Sequence, residues 1–191
     1  MLIIALLLNA EIIFSQSKYL LPCKKGLLEA SLDTALAQVG TIERTGRNDG
    51  DVEKYQTAAG IPKGSAYCAA GQYYCFLRAA IALSLNIIEI PIIKTGVANY
   101  IFNDAVAKGK KTKYFPCKHD LIVWRKGSGR NGHIERIIEP EKAGWVKTVG
   151  FNTSSKTSSR KFDYGVFIKR RNIFHTLGRL SVRGLIGFVA Y

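Results

Sequence analysis

The order of hydrophobic patterns along this chain of 191 residues constrains its fold more than any other feature. Segments with helical spacing come first, up to Ala107, and short strand-like segments follow from Leu121. Alternating βαβ units would interleave the two patterns. The observed order instead predicts an α+β domain in which N-terminal helices pack on a C-terminal antiparallel sheet.

The predicted elements are bounded by glycines and polar turns. The first helix has apolar residues at helical spacing from Leu28 to Val39, and Gly40 ends it. Further helices are predicted over residues 52–59, 68–82 and 97–107. Strands are predicted over residues 121–124, 133–138, 145–149, 164–169 and 187–191.

The first residues are typical of a signal peptide. An apolar run, Leu2–Leu8, is followed by the small and polar residues Ser15-Gln16-Ser17, and the run is shorter than the about 20 apolar residues that span a bilayer. We therefore expect export to the periplasm or the cell exterior, with no stable membrane insertion after cleavage. A buried first helix or strand is the alternative. The predicted organisation is a signal peptide over 1–16, an N-terminal segment over 17–26 and one domain over 27–191.

The charge balance predicts an anionic partner. Lys and Arg total 28 against 14 for Asp and Glu, a net charge of +14. Nucleic acid, anionic lipid and an acidic envelope polymer all fit this charge. The export signal and the absence of a zinc-finger or helix-turn-helix pattern favour an envelope polymer over nucleic acid. Six basic residues crowd the C-terminal half: Lys156, Arg160, Lys161, Lys169, Arg170 and Arg171. They form either a surface for the polymer or simply a solvated face.

One of the four cysteines stands out by position. Their spacing fits neither a disulfide scaffold nor a zinc site, and the pairing of Cys23, Cys75 and Cys117 is left open. A cysteine that acts as a nucleophile would need no metal or organic cofactor. Cys68 lies in the first turn of the third predicted helix, where free amides and the helix dipole stabilise a thiolate. A structural buried cysteine is the alternative, and it suits Cys75, two turns further along the helix.

A histidine at the start of a strand complements this cysteine. His133 follows a glycine-rich turn, and a helix-start cysteine with a strand-start histidine is typical of papain-like nucleophile and base pairs. Asn152 follows the next strand, and a hairpin of the two strands would bring it back beside His133. Its amide oxygen is therefore the predicted acceptor of the imidazole N–H. Glu135 is the alternative third residue, or tunes the imidazole pKa, because the strand period places it on the face of His133.

Several short motifs together resemble one family, the CHAP-type enzymes (cysteine, histidine-dependent amidohydrolases/peptidases). The similar segments, which fall within about residues 27–171, are Gly40–Gly50, Gly64–Ala70, Asp120–Trp124, Gly132–Ile134, Thr148–Thr153 and Tyr164–Phe167. The resemblance implies a papain-like fold and a secreted cysteine amidase or endopeptidase that hydrolyses amide bonds in peptidoglycan. It also implies catalytic roles for Cys68, His133 and Asn152. A non-catalytic wall-binding module of the same fold is the main alternative, and a basic nucleic-acid-binding protein is the second.

Overall fold

The computed structural model describes residues 16–155 and 164–191, which form a mixed α+β fold with four α-helices and one seven-stranded sheet. The predicted signal peptide therefore lies, except for Gln16, outside the described residues. The helices are α1 (Lys25–Leu36), α2 (Glu53–Ala59), α3 (Cys68–Ala82) and α4 (Ala98–Lys108). The strands are β1 (Ser17–Cys23), β2 (Lys110–Thr112), β3 (Leu121–Arg125), β4 (Gly132–Pro140), β5 (Trp145–Ser154), β6 (Tyr164–Asn172) and β7 (Ser181–Ala190).

The sheet is mixed, with the strand order β2-β1-β7-β3-β4-β5-β6. Every neighbouring pair is antiparallel except β1 and β7, which run parallel from the pair Ser17 and Gly184 to the pair Cys23 and Ala190. The prediction of an antiparallel sheet is therefore wrong at β1. These two strands lie at opposite ends of the sequence, so no hairpin fixes their relative direction.

The segment predicted to precede the domain is part of the sheet. Residues 17–23 form β1, whose Lys18 is buried and donates to Asp120 Oδ2 at 2.6 Å and to the carbonyl oxygen of Phe115 at 2.9 Å. The sequence pattern missed this strand because its single buried lysine interrupts the apolar run. β2 was also missed, since its three residues are all exposed and carry no hydrophobic period.

Strand β3 explains how the sheet is buried. Its residues Leu121 and Val123 pack in one apolar cluster with helix residues such as Phe76. Ile122 and Trp124 pack in a second cluster, which holds residues of β4, β5 and β7. Because alternate side chains of a strand point to opposite faces, both faces of β3 are covered. That accounts for its unbroken apolar sequence.

Helix α3 positions the candidate nucleophile. It contacts α1, α2, β4 and β5, and most of its 15 residues are buried. Packing on so many neighbours fixes Cys68, the first residue of α3, relative to β4. Within residues 16–155 and 164–191, no helix combines the length and apolarity needed to cross a membrane.

A glycine inside α3 lets the helix approach β5 closely. A Cβ at Gly71 would lie 2.3 Å from two ring atoms of Phe151. We expect Gly71→Ala to lower the free energy of unfolding by about 1–3 kcal/mol, since this overlap outweighs the roughly 1 kcal/mol that alanine gains within a helix. Gly26, in α1, is the matched control, because its Cβ would meet only Leu83 Cδ1 at 3.9 Å. Urea unfolding of both variants measures the difference, and a Gly71→Ala variant as stable as Gly26→Ala would contradict the packing argument.

Candidate active site

Cys68 begins α3 and is 5% exposed. The preceding residue, Tyr67, provides no side-chain hydrogen bond to cap the helix. The first backbone N–H groups of α3 are therefore left without a capping side chain, at the end of the helix where the dipole favours negative charge. This environment suits a thiolate and an oxyanion.

His133 links the thiol to a carboxylate. Its Nε2 lies 3.0 Å from Glu135 Oε1, and its ring packs on Trp124 with 5.9 Å between the ring centroids. The imidazole also forms a side-chain hydrogen bond with Cys68. Since Nε2 faces Glu135, Nδ1 is the ring nitrogen left for the sulfur. The fold thus brings Cys68, His133 and Glu135 into one chain of contacts.

Glu135 is fully buried and its carboxylate accepts hydrogen bonds from three side chains. Besides His133, Thr148 Oγ1 donates to Oε2 at 2.6 Å. Arg171 forms a two-pronged contact, with Nε 2.9 Å from Oε2 and Nη2 2.6 Å from Oε1. Gly150 leaves room for the carboxylate, since a Cβ there would lie 2.7 Å from Oε1. These contacts hold the carboxylate in one orientation and keep a proton on His133 Nε2.

The electrostatics favour the charged forms of His133 and Glu135. Burial alone would lower the pKa of His133, but its contacts with Cys68 and Glu135 outweigh burial and raise that pKa to about 9. Burial would raise the pKa of Glu135, but the hydrogen bonds from His133 and Arg171 outweigh it and lower that pKa to about 2. His133 is therefore an imidazolium, and Glu135 a carboxylate, at neutral pH.

In the structure the imidazole Nε2 lies against Glu135, the alternative third residue, so the catalytic role of Asn152 stays a prediction. The residue has a left-handed backbone, with φ of 53°, and its backbone N–H bonds the hydroxyl of Tyr67. The pairing of β5 with β6 shifts register between Gly150 and Thr153. This irregularity interrupts the alternation of side chains at Asn152, so strand periodicity alone does not place its side chain.

A buried network supports the residue before the nucleophile. The hydroxyl of Tyr67 donates to Glu43 Oε1 at 3.0 Å, and the backbone N–H of Asn48 donates to Glu43 Oε2 at 2.9 Å. Glu43 is 6% exposed. It therefore ties the loop before α2 to the start of α3. No sequence pattern indicated this role, because a glutamate in a polar loop ordinarily faces solvent.

An open cleft of about 500 Å³ leads to Cys68. The residues around it are mostly small, as at Gly60, Ala66 and Gly96, so backbone groups border much of the space. Two cations line the cleft, Lys94 and Arg130, and no carboxylate does. The sequence analysis identified neither cation, because each belongs to a loop and only the fold places both along one cleft.

Known proteins give no direct guide to this cleft. No family model, curated protein or solved structure matches the chain. The chemistry of the site therefore has to be inferred from its side chains and from the sequence motifs that contain them.

The other three cysteines lie in different surroundings from Cys68. All four are described, and each is a free thiol. Burial raises the pKa of Cys23 to about 11 and that of Cys75 to about 12, so both are protonated at neutral pH. Cys117 is exposed. Among the described residues, no group of three His, Cys, Asp or Glu side chains is placed to hold a metal ion.

The remaining histidines lie outside the site. His119 Nε2 is 3.2 Å from Glu29 Oε1, and its Nδ1 is 3.1 Å from the buried guanidinium of Arg136. His175 packs edge-on against Trp145, with 5.6 Å between the ring centroids. Among the described residues neither forms a hydrogen bond with a cysteine, whereas His133 pairs with Cys68.

The basic residues of the C-terminal half contribute mainly to the fold where they are described. Arg171 binds Glu135, and Arg170 donates to Glu141 at 2.7 Å while stacking 4.2 Å over Trp145. Lys169 donates to the carbonyl oxygen of Ser154. The other three, Lys156, Arg160 and Lys161, lie outside the described residues. The described three therefore offer less free charge to a polymer than the sequence suggested.

Proposed function

We propose that this protein is a cysteine hydrolase that cleaves amide bonds in peptidoglycan, with Cys68, His133 and Glu135 as its catalytic unit. One observation carries the proposal: a buried imidazole that contacts a helix-start thiol and is held by a buried carboxylate, beside an open cleft. A nucleophile, a base and an orienting group in this order are the parts that acyl transfer requires.

The first step forms an acyl-enzyme. The Cys68 thiolate attacks the amide carbonyl, and a C–S bond forms as the carbonyl electrons move to oxygen. Backbone N–H groups at the start of α3 stabilise this oxyanion. The His133 imidazolium gives its Nδ1 proton to the amine nitrogen, the C–N bond breaks, and the amine leaves.

The second step releases the acid. Neutral His133 takes a proton from water, the hydroxide attacks the thioester, and the thiolate leaves as the C–S bond breaks. Throughout the cycle Glu135 accepts from Nε2, so the imidazole keeps the orientation in which Nδ1 faces the sulfur. Arg171 and Thr148 keep that carboxylate in place. The cycle uses no metal or organic cofactor.

Peptidoglycan is the substrate that the sequence and the site support best. The motifs around Cys68 and His133 resemble those of CHAP-type enzymes, and a papain-like fold follows from the same proposal. A net charge of +14 suits a wall polymer that carries carboxylates. Export agrees with this substrate, because peptidoglycan lies outside the cytoplasmic membrane. Cleavage after Gln16 would leave all seven described strands of the sheet intact.

Digestion of purified peptidoglycan tests the function. We expect soluble fragments whose masses identify one cleaved amide bond, by mass spectrometry of the supernatant. Binding to peptidoglycan without any released fragment would instead favour a non-catalytic wall-binding module. A mobility shift of DNA or RNA that weakens with salt, without hydrolysis of the wall, would favour a nucleic-acid-binding protein.

The raised pKa of His133 predicts an alkaline limit to activity. Acylation needs the imidazolium as proton donor, so kcat/KM should fall as pH rises through about 9, the pKa of His133 in the folded protein. The same proton stabilises the fold: this stabilisation is fully present below the reference pKa of 6.5 and is lost as pH rises through about 9. Rates from pH 5 to 10 check the prediction, and a loss of activity centred near pH 6.5 would contradict it.

A further inference from the structure

We propose that the cleft selects peptide substrates with free carboxylates near the scissile amide, and that Lys94 and Arg130 bind those carboxylates. This inference rests on the proposed function, whose substrate it specifies. Lys94 and Arg130 are the two charged residues of the cleft that holds Cys68, and both are cations. A site whose charges have one sign raises the local concentration of the opposite charge.

The two cations are available for a ligand. Among the described residues, neither Lys94 nor Arg130 forms an ion pair with a carboxylate. Both residues are exposed, in contrast to Arg171, whose side chain is 15% exposed and paired with Glu135. A substrate carboxylate in the cleft would therefore gain a partner without breaking an existing ion pair.

Lys94 lies beside the C-terminal end of α2. The terminal atoms of its side chain, Cε and Nζ, lie 3.3 and 3.4 Å from the position that a Cβ on Gly60 would take. Gly60 also lines the cleft and has the left-handed backbone that ends α2, with φ of 68°. The absence of a side chain there lets the ammonium lie against the cleft wall.

Arg130 stands on a turn whose backbone is held in place. The amide of Asn99, a buried residue of α4, donates to the carbonyl oxygens of Arg130 and Asn131 at 3.0 and 3.2 Å. Arg183 in turn donates to Asn99 Oδ1 at 3.1 Å. Arg130 and Cys68 line the same cleft, so a carboxylate bound by Arg130 would share that cleft with the nucleophile. Because this backbone is already ordered, little backbone entropy is lost when Arg130 binds a ligand.

Binding to the Cys68→Ala variant tests the selection apart from turnover. The probes are a fluorescein-labelled stem peptide of peptidoglycan with free carboxylates and the same peptide with every carboxylate converted to carboxamide. We expect the free acid to bind about tenfold more tightly, by fluorescence polarisation at low salt. Lys94→Met and Arg130→Met, each added to Cys68→Ala, should reduce this ratio. Lys63→Met and Lys126→Met are matched controls from neighbouring loops outside the cleft lining, and they should leave it unchanged.

The outcomes separate this inference from the proposed function. Equal binding of the two peptides, binding of neither, or an equal effect of the control variants would overturn the selection. Hydrolysis of peptidoglycan by the wild-type protein would still support the function in each of those cases. Preference for the free acid that depends on Lys94 and Arg130, in a protein that releases no fragments, would support the selection and overturn the function.

Discussion

Replacement of Cys68 by alanine is expected to lower the rate of peptidoglycan hydrolysis by at least about 10⁴-fold, because the variant has no nucleophile. The substitution removes one sulfur atom at the start of α3 and leaves the helix sequence otherwise intact. The melting temperature should therefore stay close to that of the wild type. Release of soluble fragments, measured over a long incubation, is the sensitive readout.

Two other cysteines serve as controls for that loss. Cys117→Ala changes an exposed thiol, and Cys75→Ala changes a buried thiol seven residues further along α3. Both variants should remain active. A Cys68→Ala protein that clears a peptidoglycan zymogram like the wild type would contradict the mechanism. Loss of activity in Cys75→Ala with an unchanged melting curve would reassign the nucleophile.

Replacement of Glu135 by glutamine is expected to lower turnover by about 10²- to 10⁴-fold, since a neutral amide orients the imidazole less well and stabilises its charge less. The pKa of His133 should also fall, because one of the contacts that raises it to about 9 is lost. The alkaline limit of activity then moves to lower pH. A pH profile shows this shift whatever fraction of the variant is folded.

The same substitution also affects stability. Arg171, whose side chain is 15% exposed, loses the carboxylate that it binds with two nitrogens, and breaking such a largely buried ion pair costs up to about 3–5 kcal/mol. Circular dichroism and urea unfolding report this cost separately from turnover. Glu139→Gln is the matched control: it lies on the same strand, is exposed and pairs with Lys147 at 3.2 Å, so both activity and stability should stay near wild type.

Asn152 completes the comparison. Asn152→Gly removes the side chain but keeps a residue that tolerates the left-handed backbone at this position. Since Glu135 and not Asn152 contacts the imidazole, this variant should keep most of its activity. The opposite result, an active Glu135→Gln protein and an inactive Asn152→Gly protein, would give the orienting role back to Asn152.

Local patterns predicted the helices and most of the strands. The start of α3 at Cys68 and its end at Ala82 follow from the sequence, because a run of apolar residues there begins after a glycine turn and holds a helical period. His133 was placed on a strand for the same kind of reason. Strand β1 escaped, since its buried Lys18 makes sense only beside Asp120, about a hundred positions along the chain.

The sequence by itself determined the α+β class, the position of the cysteine at a helix start and the placement of His133 and Glu135 on one face of a strand. Only the tertiary structure decided which group binds the imidazole. Strand alternation offered Glu135 and hairpin pairing offered Asn152, and the register shift of β5 after Gly150 decided between them. The partners of Glu135, Thr148 and Arg171, and the two cleft cations come from separate segments. Such contacts depend on strand register and loop position, which no local sequence pattern contains.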